Sequence, residues 1–413
     1  MHHARALPRL RLRLPLPLPL HPSSRLFAKR HVSVSAESEY QVREVRSPVD
    51  LDSFHRIVVS ARRQAVVFRN QVQADDVSSL QLADRLDHVG TVDGDRSPGT
   101  PAVALPASSK WFAPAGKDGF PDMTSHLRGH LQSHFVPYEL LAPGVGDEVF
   151  SAANSLGRFS RWLSVSSNPL YRALHQVLLQ QIRPGHDESM PLQKKDGPVQ
   201  FIRFSAPLAL LDAAVEYNRE HPTDCISTLY IAQVPISDLP EALRSDVPTP
   251  RCLASPPAGD EPLYAPDVYT SSLWLGLTPT YTPWHRDPNH NLFCQLCGTK
   301  VVRMMPPSAG EDLFRKVMAG LGKPVASVAI RGEEMMMEPE RQAFLDAVWG
   351  AHPPEDMLEV TLNPRDVMFL RTGWWHSVRS VGDPGRLNAS VNWWFRFRDL
   401  RRPERGGGAK TGT

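Results

Sequence analysis

The sequence predicts a mainly β protein with helical additions, an α+β fold built around a sandwich or barrel of short strands. Proline is frequent, at 39 of 413 residues, which favours turns and short strands over long helices. Short β-type runs broken by Gly, Pro and Asp recur between residues 226 and 397. Apolar residues recur at helical spacing before these runs and again in a segment between two of them. This pattern predicts an N-terminal helical region and a helical insertion.

The first residues have the composition of a targeting sequence. Residues 1–36 contain no Asp or Glu but seven Lys or Arg, together with several serines. An Arg-rich, Ser-containing and acid-free leader is typical of a mitochondrial transit peptide. We therefore expect residues 1–36 to be a transit peptide or a disordered leader. The expected location is mitochondrial, with cytoplasm or nucleus as the alternative, and the Gly-rich residues 401–413 are expected to be a disordered tail.

Residues 46–224 are predicted to form an α/β extension that packs on the β-rich region. A short apolar run bounded by polar residues predicts a strand over residues 63–70. Apolar residues at helical spacing, such as Met123 and Leu127, predict helices in four segments. These segments are residues 75–88, 122–135, 168–182 and 207–221.

Residues 225–400 are predicted to hold the β-domain. Its strands are predicted at residues 226–234, 271–277, 291–296, 301–305, 358–362, 367–370 and 389–397. Residues 309–322 and 339–349 have helical character, so the insertion at about 308–355 between core strands is predicted to be helical. The role of this insertion is left open.

Composition excludes several classes of protein. With Lys+Arg 46 and Asp+Glu 44 the formal net charge is only +2, which argues against a nucleic-acid partner, although a modified tRNA stays open. Four cysteines in so long a chain exclude a disulfide scaffold, and we expect all four to be free thiols. No apolar run reaches the ~18–20 residues that span a bilayer, so no membrane partner is expected.

A candidate metal site is centred on His285 and Asp287. Residues two apart on a strand project from the same face, roughly 6.6 Å apart, so this imidazole and carboxylate can bind one ion. The pair alone is a weak signal. A third candidate ligand, His376, follows a predicted strand and a Gly bend, and Lys300 comes fifteen residues after His285 at the start of another strand.

Two imidazoles and one carboxylate leave three octahedral positions of a metal open. Such an arrangement suits Fe(II) that also binds a chelating co-substrate and O2. A 2-oxoglutarate molecule would occupy two positions and bury its far carboxylate, which then requires a cation or several donors. Lys300 is the candidate cation, and Thr282 and Tyr230 are candidate hydroxyl donors.

The motifs in this region resemble a known family. The stretch SSLWLGLTPTYTPWHRDPNHNLFCQLCGTKVVRMMPP, with DVMFLRTGWWHSVRS and NASVNWWFR downstream, is similar to JmjC or cupin-like Fe(II)/2-oxoglutarate oxygenases. Within them, the sequence most resembles the asparaginyl hydroxylase of hypoxia-inducible factor and its small cupin-like relatives. The resemblance is strong over residues 225–397 and faint over residues 46–224.

This resemblance implies a double-stranded β-helix, the jelly-roll core of cupin-like proteins. It implies metal ligation by His285, Asp287 and His376, and contacts to 2-oxoglutarate from Lys300, Thr282 and Tyr230. Asn291 and Asn392 fall where the family has asparagines, and we include both among the candidate co-substrate residues. Relatives often dimerise through helices, so a homodimer is a candidate assembly.

The expected function is a 2-oxoglutarate- and Fe(II)-dependent hydroxylase that acts on a protein or a small molecule and releases succinate and CO2. One alternative is an N-methyl-lysine demethylase of the JmjC type, and the other is a non-catalytic cupin-like binding module. A second histidine cluster, His126, His130 and His134, has spacing that can bind metal, but it lacks the Glu of His-Glu-x-x-His sites. We interpret it as the polar face of a helix.

Overall fold

Two β-sheets lie at the centre of the fold, and all the residues that the structure describes belong to one unit, Glu39–Thr413. The computed structural model describes residues 40–46, 49, 51–69, 103, 105–114, 121–130, 134–143, 149–182, 199–254, 264–323 and 339–399. The predicted leader 1–36, the tail 401–413 and the predicted helix 75–88 lie outside the described residues.

Fifteen strands are found among the described residues. They are β1 (Gln41–Arg46), β2 (Gln64–Arg69), β3 (Phe112–Ala113), β4 (Asp122–Met123), β5 (Phe135–Pro143), β6 (Val199–Pro207), β7 (Leu229–Pro235), β8 (Tyr264–Leu277), β9 (Tyr281–Arg286), β10 (His290–Cys297), β11 (Thr299–Met305), β12 (Leu358–Leu362), β13 (Val367–Leu370), β14 (Trp375–Val381) and β15 (Leu387–Asp399). The major sheet has nine strands in the order β1-β2-β13-β10-β15-β8-β7-β5-β6, and the minor sheet has four in the order β12-β11-β14-β9.

The strands β8 to β15 form a double-stranded β-helix. Four of them, β8, β10, β13 and β15, lie in the major sheet, and the other four lie in the minor sheet. The chain thus crosses repeatedly between two facing sheets, as in a jelly roll. The predicted fold class is therefore confirmed. Strands β1, β2, β5 and β6 from the N-terminal region extend the major sheet at both edges, so the two predicted regions share one sheet.

Nine α-helices surround the sheets in the described part of the chain. They are α1 (Leu51–Ser60), α2 (Ala107–Lys110), α3 (Ser125–Arg128), α4 (Ser155–Val165), α5 (Pro169–Gln181), α6 (Ala209–Glu220), α7 (Glu241–Arg244), α8 (Pro307–Gly320) and α9 (Glu340–Trp349). None of the helices in these described residues is long and apolar enough to cross a membrane.

The N-terminal helices cover the outer face of the major sheet. Alternate residues of β8 and β15, such as Leu275 and Trp393, point outward into the largest core cluster together with Phe159 of α4, Leu174 of α5 and Leu210 of α6. Burial of these side chains supplies the hydrophobic stabilisation of this layer. The described helices of the N-terminal region therefore pack on the major sheet.

The insertion helices cover the outer face of the minor sheet. Trp284 of β9 and Trp375 of β14 stack with ring centroids 6.1 Å apart, and Phe314 of α8 lies 5.0 Å from the Trp375 ring. Helix α8 approaches the sheet at Gly310, where a Cβ atom would lie 2.4 Å from Trp375 atoms. Glycine is therefore required for this close contact, and the carbonyl of Gly310 accepts a hydrogen bond of 3.1 Å from Trp284 Nε1.

One predicted element is wrong. The i+4 spacing of residues 122–135 predicts a long helix. Among the residues of this segment that the structure describes, only Ser125–Arg128 are helical, and Phe135 begins the nine-residue strand β5. The Thr124 hydroxyl caps this short helix by accepting the Leu127 N–H. The local pattern predicts that Phe135 ends the helix. Because β5 pairs with β6 and β7, Phe135 instead begins a strand.

Candidate metal centre

Two histidines face each other across antiparallel strands. His285, near the end of β9, lies directly opposite His376 of β14, with ring centroids 4.1 Å apart. Asp287 is the first residue after β9, and its carboxylate oxygens lie 4.0 Å from His285 Nε2 and 3.7 Å from His376 Nε2. All three ligand atoms lie within 4.8 Å of one another. No second group of three His, Cys, Asp or Glu side chains converges in this way among the residues that the structure describes.

Backbone carbonyls fix the tautomer of both histidines. His285 Nδ1 lies 2.8 Å from the Pro283 oxygen, and His376 Nδ1 lies 3.3 Å from the Trp374 oxygen. A carbonyl only accepts, so each Nδ1 carries the proton and each Nε2 keeps its lone pair, as a metal-binding imidazole requires. Burial and the neighbouring His285 lower the pKa of His376 to about 4, which keeps it neutral at physiological pH.

A bulge in β9 brings Thr282 onto the same face as His285. His376 and Val378 of β14, two residues apart, lie opposite His285 and Thr282, which are three residues apart. The extra residue of β9 turns both side chains to the interior, whereas regular strand geometry would separate them. The predicted co-substrate residue Thr282 therefore shares the inner face with the two histidines.

The two predicted asparagines support the carboxylate of Asp287. Asn291 Nδ2 donates to Asp287 Oδ2 at 2.9 Å, and Asn392 Nδ2 donates to Asn291 Oδ1 at 3.3 Å. Trp274 Nε1 in turn donates to Asn392 Oδ1 at 2.7 Å. The three donors lie in β8, β10 and β15 of the major sheet, and together they orient the Asp287 carboxylate, which follows β9 of the minor sheet. Hydrogen-bond partners of metal ligands commonly have this role.

Lys300 places a buried amine between the two sheets. Its side chain, from β11 of the minor sheet, donates to Ser390 Oγ of β15 in the major sheet at 2.6 Å, and Nζ lies 5.5 Å from the Phe293 ring centroid. Only 3% of the residue is exposed, and burial lowers its pKa from 10.5 to about 7. No carboxylate of the described residues forms an ion pair with it. A buried amine without a counterion fits an anion that enters with a ligand.

Tyr230 lies on the inner face of the major sheet, on the same side of β8 as Trp274. It is paired with Gly276 of β8, and its ring centroid is 6.2 Å from that of Trp274. A Cβ atom at position 276 would lie 2.4 Å from Tyr230 Cδ2, so glycine lets the ring lie across β8. Burial raises the pKa of the phenol, which therefore stays a hydrogen-bond donor.

Ser390 and Trp274 are site residues that sequence reasoning missed. A signal for Ser390 exists in the sequence. Asn388, Ser390 and Asn392 are polar residues that alternate with apolar residues over 387–393, which indicates a polar inner face. Elsewhere, His126 Nε2 lies 2.6 Å from the buried carboxylate of Asp246, a structural contact, and all four cysteines are free as expected.

Comparison with known families identifies this architecture. Residues 104–399 match the family model described as a cupin-like domain, which is more than half of the chain. The chain belongs to the JmjC/cupin-like family. Members of the JmjC/cupin-like family are typically Fe(II)- and 2-oxoglutarate-dependent oxygenases. The donor set fits such an ion, because two neutral imidazoles and a carboxylate are the 2-His-1-carboxylate ligands of Fe(II).

Several curated proteins share the JmjC/cupin-like region. Lysine-specific demethylase JMJ31 of Arabidopsis thaliana is 28% identical over 174 residues, which are 40% of this chain and 28% of that protein. Lysine-specific demethylase 8 of Danio rerio is 28% identical over 168 residues, or 40% of this chain and 36% of that protein. Jumonji C domain-containing protein 5 of Drosophila melanogaster is 27% identical over 167 residues, which are 40% of this chain and 36% of that protein. The matches thus span about a third of these relatives.

Proposed function

We propose that this protein is an Fe(II)- and 2-oxoglutarate-dependent hydroxylase of a protein or small-molecule substrate. The observation that carries the proposal is the convergence of His285, Asp287 and His376 with both Nε2 atoms free to bind a metal. When bound, Fe(II) and 2-oxoglutarate supply the oxidising chemistry with O2, and succinate and CO2 are released.

The side chains of this chain bind and orient the reactants. His285, Asp287 and His376 would hold the metal. Lys300 would neutralise the distal carboxylate of 2-oxoglutarate, and Thr282 and Tyr230 would donate hydrogen bonds to it. Because both sheets and their helical covers exclude water from Lys300, this ion pair would be stronger than an exposed one.

The test is turnover of 2-oxoglutarate without a substrate. Purified protein with Fe(II), ascorbate and 2-oxoglutarate is expected to form succinate slowly, and Asp287→Ala is expected to lose this activity and Mn(II) binding together. Asp383→Ala, which removes an exposed carboxylate, is the matched control and should retain both. Full turnover by Asp287→Ala would contradict the ligand assignment. Absence of turnover and of metal binding in the unaltered protein would favour a non-catalytic cupin-like binding module.

The second candidate is an N-methyl-lysine demethylase. The observation that favours it is that matched relatives from Arabidopsis thaliana and Danio rerio are named lysine-specific demethylases. Hydroxylation of an N-methyl group gives an unstable product that releases formaldehyde, whereas hydroxylation of a side-chain carbon adds one stable oxygen. Formaldehyde release from methylated peptides supports the demethylase, and a gain of one ¹⁸O atom from labelled O2 in a substrate supports the hydroxylase.

A further inference from the structure

The turn 371–374 connects β13 to β14 and delivers His376 to the metal centre. It is anchored on one side by Arg371, whose Nε donates to the Ala61 oxygen at 2.9 Å and whose Nη2 lies 3.2 Å from the oxygens of Val58 and Val59. These carbonyls belong to the end of α1, where a cation is favoured by the helix dipole. The N-terminal helix therefore fixes the outer side of the turn.

The inner side of the turn is joined to the segment that carries Asp287. Gly373 has φ +84°, a left-handed conformation that glycine adopts without strain, and its N–H donates to the Asp287 carbonyl at 3.3 Å. The preceding N–H, of Thr372, donates to His290 Nδ1 at 3.0 Å. Because His290 lies three residues after Asp287, both hydrogen bonds connect the two metal-binding segments.

The tautomer and the orientation of His290 are both determined. A backbone amide only donates, so Nδ1 must be unprotonated and the proton lies on Nε2. The ring is surrounded by Phe369, Phe395 and Phe397, with centroids 5.7, 5.6 and 5.2 Å away. These aromatic contacts hold the acceptor atom at a fixed place, and no part of the ring reaches the metal cluster in the way that His285 and His376 do.

We propose that His290 is a positioning residue whose Nδ1 holds the turn 371–374 so that His376 converges with Asp287 on the metal. The inference rests on the metal site of the proposed function. It follows from the geometry because Asp287 lies in the loop after β9 and His376 lies in β14, and these two hydrogen bonds connect that loop to the turn before β14. His290 does not touch the metal, so its effect is on affinity through the placement of the ligands.

Three substitutions of His290 separate the acceptor from the rest of the side chain. His290→Asn keeps an acceptor where Nδ1 lies, because Asn Oδ1 is attached at the same carbon. His290→Gln moves the acceptor one bond outward, and His290→Leu removes it. Mn(II), an ion that resists oxidation, is titrated into metal-free protein and the free ion is followed by electron paramagnetic resonance. His352→Leu, at an exposed histidine, is the matched control.

We expect Kd for Mn(II) to rise about 10-fold or more in His290→Leu and His290→Gln, and to stay within about 3-fold of the unaltered protein in His290→Asn and His352→Leu. Thermal melts of the metal-free proteins identify any variant that fails to fold. If His290→Leu fails to fold, the comparison of His290→Asn with His290→Gln carries the test. Unchanged affinity in folded His290→Gln overturns the proposal, as does an equal loss in His290→Asn. If the unaltered protein itself binds no Mn(II), the proposed function fails as well; if it binds and turns over 2-oxoglutarate, only the role of His290 is at issue.

Discussion

Replacing Lys300 by methionine should make the protein more stable when it is free of metal and 2-oxoglutarate, and should abolish the binding of 2-oxoglutarate. Burial lowers the pKa of this amine from 10.5 to about 7, a difference that corresponds to about 5 kcal/mol between its charged and neutral forms. The amine keeps one protein partner, the Ser390 hydroxyl, whose hydrogen bond is worth about 1 kcal/mol. Methionine has a similar shape and carries no charge, so most of this unfavourable free energy disappears.

The effect has a defined dependence on pH. Because the folded pKa lies below the unfolded pKa, the unfolded chain binds more protons between pH 7 and pH 10.5. The contribution of Lys300 to the free energy of unfolding therefore becomes less unfavourable as pH rises through this window. Relative to methionine, the lysine should reduce stability by roughly 4 kcal/mol at pH 7 and by roughly 2 kcal/mol at pH 9.

Urea unfolding of the metal-free protein at pH 7, 8 and 9 measures this difference. Lys300→Met is compared with the unaltered protein and with Lys316→Met, which removes an exposed lysine of α8 and should change stability little. Isothermal titration calorimetry with Mn(II) present should detect 2-oxoglutarate binding to the control and none to Lys300→Met. A stability difference that is absent, or that widens from pH 7 to pH 9, would refute the description of Lys300 as a buried amine without a counterion.

Two further predictions concern the cover of the minor sheet and the histidines. Gly310→Val should lower the unfolding free energy by about 2 kcal/mol or more, because the added side chain would overlap Trp375. Gly320→Val is the control, since no atom lies within 4 Å of a Cβ at that position, and it should change stability little. Thermal melts compare the two variants, and equal melting temperatures would contradict this packing. The pKa of His376 lies at about 4 rather than 6.5, so the stability of the metal-free protein should fall as pH drops through that window, because only the unfolded chain takes up the proton. Urea unfolding should show a weaker dependence in His376→Asn, and an unchanged one would contradict the buried, neutral assignment.

The sequence predicted the β-domain well because its strands are short, apolar and separated by Gly, Pro and Asp. The predicted strands at 358–362 and 367–370 coincide with β12 and β13, and the predicted helix at 339–349 differs from α9 by one residue. Prediction was poorer before residue 225. Strands β5 and β6 are 56 residues apart in the chain and form through pairing with each other, and no local pattern shows such pairing.

The three candidate metal ligands were predictable from spacing and resemblance, whereas the contacts that orient their side chains were not. The pair His285 and Asp287 is visible in one motif, but the carbonyls that fix Nδ1 belong to the backbone and have no residue-type signal. The bulge that turns Thr282 inward is likewise visible only through the register with β14. Asn291 was predicted near 2-oxoglutarate, and the structure adds that it donates to Asp287.

The same burial that destabilises the empty site favours a dicarboxylate as its ligand. A ligand with a single carboxylate could bind the metal through that group but would leave the Lys300 amine without a counterion between the sheets. A second carboxylate that reached the amine would restore its charged form, so binding at pH 8 should be accompanied by uptake of nearly one proton. Calorimetry in buffers of different ionisation enthalpy measures that uptake. Binding of 2-oxoglutarate without proton uptake would mean that Lys300 is already charged in the empty site, or that its amine lies outside the co-substrate pocket.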